Sequence, residues 1–257
     1  MSVKERSVMG GFVFDWSYFL GLFRSSFLYH AAWLTLSITV ISWCAGILIG
    51  LMLAIFQQSK LKVLSIPAFL FMWVIRGTPL LVQIILIFNA VPLLFPATSV
   101  FLSVPFIAGA IALTLNSSVF SSEIFRSGLM SVEKGQIEAA AALGMRPYQI
   151  MWHVTLKQAL RVIIPPAGNE FITVLKGSSM VSVISVTELT LAGQRLYTSN
   201  FKIIESLIGI TIFYLAMTTL FTAIQQYIEM KLDKTGKSRK QITLWKRIFL
   251  IRSDEGR

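Results

Sequence analysis

At 257 residues, 55% hydrophobic and only 14% charged, with a mean hydropathy of +0.71, the chain lies far outside the composition of a soluble domain and belongs in a bilayer. Its net charge of +11 is concentrated in the flanks of apolar segments, which fits orientation in a membrane and contact with anionic lipid and argues against nucleic acid as a partner. A single cysteine, Cys44 in an apolar segment, excludes a disulfide framework and a thiolate metal site.

Residues 10–29 mix aromatics with Asp15, Ser17, Arg24 and Ser25, the pattern of a helix lying in the membrane interface, and no cleavable signal peptide is expected. Crossing hydrocarbon takes about 20 apolar residues. The first predicted span is Ala31 to Phe56, with Ser42, Gly46, Gly50 and Ala54 at every fourth position. Such a stripe lets another helix approach closely, either within this chain or from a partner. Val63 to Phe95, about 33 residues, is too long for one straight crossing and is interrupted by Arg76-Gly77-Thr78-Pro79, so it reads as one span with a kinked or interfacial first part. Further spans are predicted at Val104 to Val119, Pro166 to Val186 and Ile203 to Ile228. From Lys231 the tail is polar and basic, and its Trp245, Ile248 and Phe249 fit an interfacial anchor or a disordered segment.

With five spans, sixteen Lys and Arg residues flank the side of the carboxyl terminus and five the other. The amino terminus is therefore expected outside and the carboxyl terminus in the cytoplasm. The chain reads as an all-α membrane protein of about five transmembrane helices. Its parts are an interfacial segment at 1–29, one membrane domain at 30–230 with a cytoplasmic loop at about 123–165, and a basic cytoplasmic tail at 231–257. His30 and His153 fall on opposite sides of this topology, so no metal site is expected.

Polar residues inside spans mark functional candidates. Arg76 either snorkels to a headgroup or serves a gate or interface. Glu123 and Arg126, three apart, either neutralise each other or orient the following loop. Asn169, Thr173 and Lys176 share one face, with Lys176 about 15 Å into the membrane by helical rise. That face fits an internal path for a polar solute; the alternative is that Lys176 is neutralised by Glu170 or by a neighbour's acid. Ser178, Ser182 and Ser185 form a small stripe expected to pack. Gly236-Lys237-Ser238 has neither the first glycine nor the preceding strand of a phosphate-binding loop, so no nucleotide site is expected in this chain.

The most telling stretch runs from Gln136 to Lys157. Glu138 to Leu143 are strong helix formers, Gly144 can take the left-handed conformation that ends a helix, and Pro147 suits the first turn of the next. A polar helix, turn and helix between spans implies something that docks there. The stretch resembles the EAA loop of ABC importer permeases, with Glu138, Ala139, Ala140, Gly144, Val154 and Leu156 in register and Lys157 where that family usually has proline. Three further segments resemble the polar amino acid subfamily, which includes histidine, glutamine and arginine systems. They are Arg76 to Gln83, Leu115-Asn116-Ser117 through Gly135-Gln136, and Pro165 to Phe171 followed by Lys176 and Ser178 to Ile184.

The resemblance implies a type I ABC importer permease fold without catalytic residues or cofactor, with ATP hydrolysed on separate ATPase subunits. Implied partners are those ATPases, a second permease of identical or paralogous sequence, and a periplasmic or lipid-anchored solute-binding protein. The implied place is a bacterial inner membrane and the implied cargo a polar amino acid or a related compound such as an opine. Gln136, Glu138, Ala139, Ala140, Gly144, Arg146 and His153 are the expected ATPase-coupling residues. Arg76, Asn116, Asn169, Glu170, Thr173 and Lys176 are the candidates for path or gate. Many relatives have Asp after this lysine where the chain has Gly177, which weighs against a strongly cationic cargo. An ion-coupled secondary transporter and a non-transporting scaffold are the alternatives that hydrophobicity alone leaves open.

Overall fold

The computed structural model describes residues 14–232, and every regular element within them is helical. Helix α1 is Trp16–Leu22, α2 Ser26–Gln57 and α3 Lys62–Gly77. Helix α4, Leu80–Leu94, contains a π-helical turn at Leu86–Ala90. Helix α5 is Pro105–Met130, α6 Lys134–Ala142 and α7 Pro147–Ile150. A second π turn, Met151–Thr155, leads into α8, Leu156–Gly177, which tightens into a 3₁₀ segment, Ser178–Ile184. Helices α9, Leu189–Asn200, and α10, Ile203–Leu232, complete the order.

Helices α2, α5 and α10 are long and apolar enough to cross a membrane, and the two bent pairs bring the candidate spans to five. One pair is α3 with α4, which meet at 109°, the geometry of a broken span or a re-entrant loop, with the break where Arg76-Gly77-Thr78-Pro79 interrupts the apolar segment. Thr78, in extended conformation, and Pro79, which cannot donate a backbone hydrogen bond, make the break. Gln83, buried, closes it: its Nε2 donates to Ile75 O at 2.8 Å, Thr78 O at 3.1 Å and Thr78 Oγ1 at 2.9 Å.

The centre of the bundle is the seam between α2 and α5. Ser42, Gly46, Gly50 and Ala54 are all buried. A Cβ on Gly46 would lie 2.8 Å from Ser117 Oγ, and one on Gly50 would lie 2.6 Å from Ser121 Cβ and 2.7 Å from Ser118 O. The two backbones touch, and Ser42 Oγ donates across the seam to Ala110 O at 3.1 Å. The stripe thus packs within the chain. Beside it, Ile38 of α2, Ile84 of α4, Leu113 of α5 and Val181 and Ile184 of the 3₁₀ segment form the largest buried cluster.

The fourth span differs from its sequence-based bounds. Helix begins well before Pro166 and runs through both Pro165 and Pro166. The carbonyls four residues earlier that lose their donors belong to Arg161 and Val162, which are exposed, so the prolines leave no sealed polar group. Ser185, with φ 69°, ends the 3₁₀ segment, so it is a terminator and not a packing residue. Glu188, fully buried, then caps α9 by accepting from Thr190 N–H and Leu191 N–H, and also accepts from Tyr214 Oη–H of α10 at 2.7 Å.

Helix α1 is tied to the start of α10. Asp15 caps α1 through Tyr18 N–H at 2.9 Å and pairs with Lys202, and its own N–H donates to Glu205 Oε1 at 2.8 Å. The Lys202 ammonium, with the Tyr18 N–H, holds the Asp15 carboxyl below its ordinary range. The basic tail beyond Leu232, with Trp245, Ile248, Phe249 and Gly236 to Ser238, lies outside the described residues, while its first two residues complete α10.

If backbone contact in the α2–α5 seam organises the bundle, Gly50→Ala destabilises the detergent-solubilised protein by about 1–3 kcal/mol through overpacking. Gly21→Ala, where an added Cβ meets nothing within 4 Å, leaves the thermal midpoint essentially unchanged. Equal midpoints for the two variants would refute the close-packed seam.

Candidate functional site

Between α5 and α8 the chain forms an elbow whose shape follows from its residue types. Helix α6 is built from Gln136, Glu138 and a run of alanines. It ends in a Schellman motif: Gly144 N–H donates to Ala141 O at 2.9 Å and Met145 N–H to Ala140 O at 3.2 Å. Gly144 has φ +78°, which glycine adopts without penalty. Pro147 occupies the first position of α7, and Arg146 N–H donates to Gln149 Oε1 at 2.8 Å. The π turn then carries Trp152 and His153 outward, with His153 Nδ1 3.1 Å from Gln149 O.

The elbow is firmly mounted. Val132, Ala159 and Ile163 form a buried cluster with Ile124, Phe125 and Leu129 of α5 packed on it, along with Ile137 of α6. Gly128 faces Ile163 so closely that no side chain fits there. Ala140 and Ile150 are buried, whereas Gln136, Glu138, Ala139, Gly144, Arg146 and His153 are exposed. Leu143 is 84% exposed, Trp152 63% and Tyr148 58%, so the elbow presents a carboxylate beside large apolar side chains on a fixed frame. Such a surface is suited to docking another protein.

On α8, Asn169, Thr173 and Lys176 lie exposed, and Lys176 has no carboxylate partner among the described residues. Glu170 is instead buried beside Ser117 of α5, so it does not neutralise Lys176. Asn116, half-buried, neighbours Ser117 on α5. Gln225 of α10 donates to Pro165 O and Asn169 Oδ1, both at 3.1 Å, and to Glu229 Oε1 at 2.8 Å, giving α8 and α10 a polar seam. A cavity of about 380 Å³ lies between α2, α8 and α10, but Trp43, Ile47, Phe171, Phe221 and Ile228 line it. Its walls give a zwitterion almost nothing to bind.

Arg76 and Glu123 form an ion pair that the sequence does not foretell, because 47 positions separate them. Glu123 therefore does not neutralise Arg126, whose Nη1 turns to Met130 Sδ at 3.4 Å. The Gln83 staple is likewise formed by contacts that residue order alone does not foretell. A lone glutamine in an apolar run just past a proline was its available signal.

Residues 46–234 match the family described as binding-protein-dependent transport system inner membrane component. The chain is 33% identical to the glutamine transport system permease protein GlnP of Escherichia coli (strain K12), over 85% of this chain and 98% of that one. It is 37% identical to the L-cystine transport system permease protein TcyB of Bacillus subtilis (strain 168), over 78% and 84% respectively. Among solved structures, an amino acid ABC transporter crystallised with histidines matches with TM-score 0.76 and 34% identity, covering 86% of this chain and all of the other. The motifs, the exposed elbow and these likenesses agree: the chain belongs to the family of binding-protein-dependent transport system inner membrane components, as a transporter subunit and not an enzyme.

Proposed function

We propose that this chain is the permease subunit of an ATP-driven importer for polar amino acids or closely related compounds, set in a bacterial inner membrane. The observation that carries the reading is the rigid elbow at Glu138 to Trp152, mounted on the ends of α5 and α8 and offering a carboxylate without a salt-bridge partner among the described residues, with exposed apolar side chains on the same elbow. An ATPase subunit docks there. Glu138 supplies polar contact, Ala139 permits close approach, and Gly144 sets the angle between the two helices. Gln136, Arg146 and His153 border the same surface.

A second permease, identical or paralogous, faces this one, and a periplasmic or lipid-anchored binding protein delivers solute from outside. Asn169, Thr173 and Lys176 face the path, where an ammonium group is suited to a carboxylate; Asn116 and Glu170 stand behind them on the α5 side. ATP binding draws the two docked elbows together and shifts the permease pair from inward-facing to outward-facing, a two-state change biased by partner contacts. Ion-coupled transport and a non-transporting scaffold are not favoured, because family membership and the docking elbow point to import driven by a partner ATPase.

Affinity purification from native membranes in mild detergent tests the docking. An ATPase copurifies with the unaltered chain and is lost with Glu138→Arg; copurification of ATPase with both, or with neither, would count against the elbow as the docking surface. Gly144→Val adds about 1–3 kcal/mol of backbone strain at a left-handed position. It is expected to abolish uptake in vesicles while membrane insertion stays intact, and normal uptake by that variant would sink the assigned role of Gly144.

A further inference from the structure

We propose that the Arg76–Glu123 ion pair is the positioning contact that passes movement of the docked elbow to the broken α3–α4 unit, and that neither residue binds solute; the proposal rests on the importer reading. Arg76 is the last residue but one of α3, immediately before the break. The three hydrogen bonds from Gln83 to Ile75 and Thr78 hold the two halves at a set angle, so Arg76 and the start of α4 move together. Leu80, the first residue of α4, packs on the cluster of Leu113, Val181 and Ile184. Its Cδ2 lies 3.4 Å from where a Cβ on Gly177 would stand, one residue beyond Lys176. One end of the connection thus reaches the polar segment of α8.

The other end reaches the elbow. Glu123 sits on α5 directly before Ile124, Phe125 and Leu129, the residues that pack with Val132, Ala159 and Ile163 and with Ile137 of the docking helix. Displacement of α6 bears first on this part of α5. The pair lies at the edge of the bundle, its side chains 50% and 34% exposed, so it is not sealed in by the packing around it. Helix α3 is already held on α2 and α5 by Leu53, Ala68, Met72 and Val119, and Ser122 Oγ contacts Met72 Sδ at 3.8 Å. Helix α3 thus has an apolar anchor separate from the pair, and a polar contact left open on one side is free to follow a moving joint.

The test uses the complete complex, with its ATPase and binding protein, in lipid vesicles containing ATP. ATP hydrolysed per molecule imported is measured with labelled glutamine, histidine and cystine offered together. Glu123→Gln and Arg76→Gln are each expected to raise this ratio about tenfold, a typical coupling strength. The solute concentration for half-maximal uptake stays within about twofold, and the exchanged pair Arg76→Glu with Glu123→Arg restores the ratio to within about twofold of the unaltered protein. An unchanged ratio in either single variant overturns the proposal, as does an exchanged pair no better than the singles. Failure of a single variant to assemble overturns it too, because the pair would then be structural. If the unaltered complex shows no ATP-driven uptake in the same vesicles, it is the importer reading that falls.

Discussion

Backbone-to-backbone contact between α2 and α5 is the constraint from which the other placements follow. Hydrocarbon offers no hydrophobic driving force for helix association, so spans hold together by close packing and by hydrogen bonds that the lipid cannot supply. Gly46 and Gly50 remove the side chains that would keep α2 away, and Ser117, Ser118 and Ser121 of α5 fill the space without bulk. With that distance set, Ile38, Ile84, Leu113 and Val181 meet in one cluster. Helix α4 and the 3₁₀ segment are thereby fixed against the pair.

The same seam explains why α5 can serve as the stem of the elbow proposed to dock an ATPase. One face of α5 is fixed to α2, and its last turns are fixed to α8 through Gly128, Ala159 and Ile163. The elbow between them has little freedom left. Its turn is closed by backbone hydrogen bonds at Ala140, Ala141 and Gly144 and by the Arg146 N–H bond to Gln149, so a load applied at Glu138 is carried to the stem helices and not absorbed in a loose loop. Rigidity at a docking surface also lowers the entropy lost when a partner binds.

Helix α10 shows the opposite character. It is long and apolar, yet only Glu205, Ser206, Gly209 and Ile210 are buried. These lie near its start, where α1 and α9 pack, together with the Asp15–Lys202 pair and the Tyr18–Ser206 contact. Farther along, Gln225 is its polar link to α8. An element whose buried residues gather near one end, and which meets the polar helix farther along through Gln225 and the Phe221–Phe171 ring contact, is only partly covered by this chain, which agrees with a protein that completes its packing with lipid and, in the proposed complex, with other subunits.

Composition and local pattern by themselves determined the membrane class, the apolar segments that become α2, the α3–α4 pair, α5, much of α8 and α10, the small-residue stripe of α2 and the turn at Gly144, but not α9. Each rests on short-range physics: apolar length, helix propensity, and the φ angle that glycine alone takes freely. Four ordered motifs carried the family as well. Local signals could not give the true start of the fourth span, because proline reads as a boundary unless its neighbours can tolerate the missing bonds, and that depends on exposure. Nor could they choose the partner of the α2 stripe, the partner of Glu123 or the surroundings of Glu170. Sequence spacing states which residues share a helix face. Which face meets which is decided by how closely two helices approach, and only the tertiary structure brought Arg76 to Glu123 across 47 positions while leaving Lys176 without a carboxylate among the described residues.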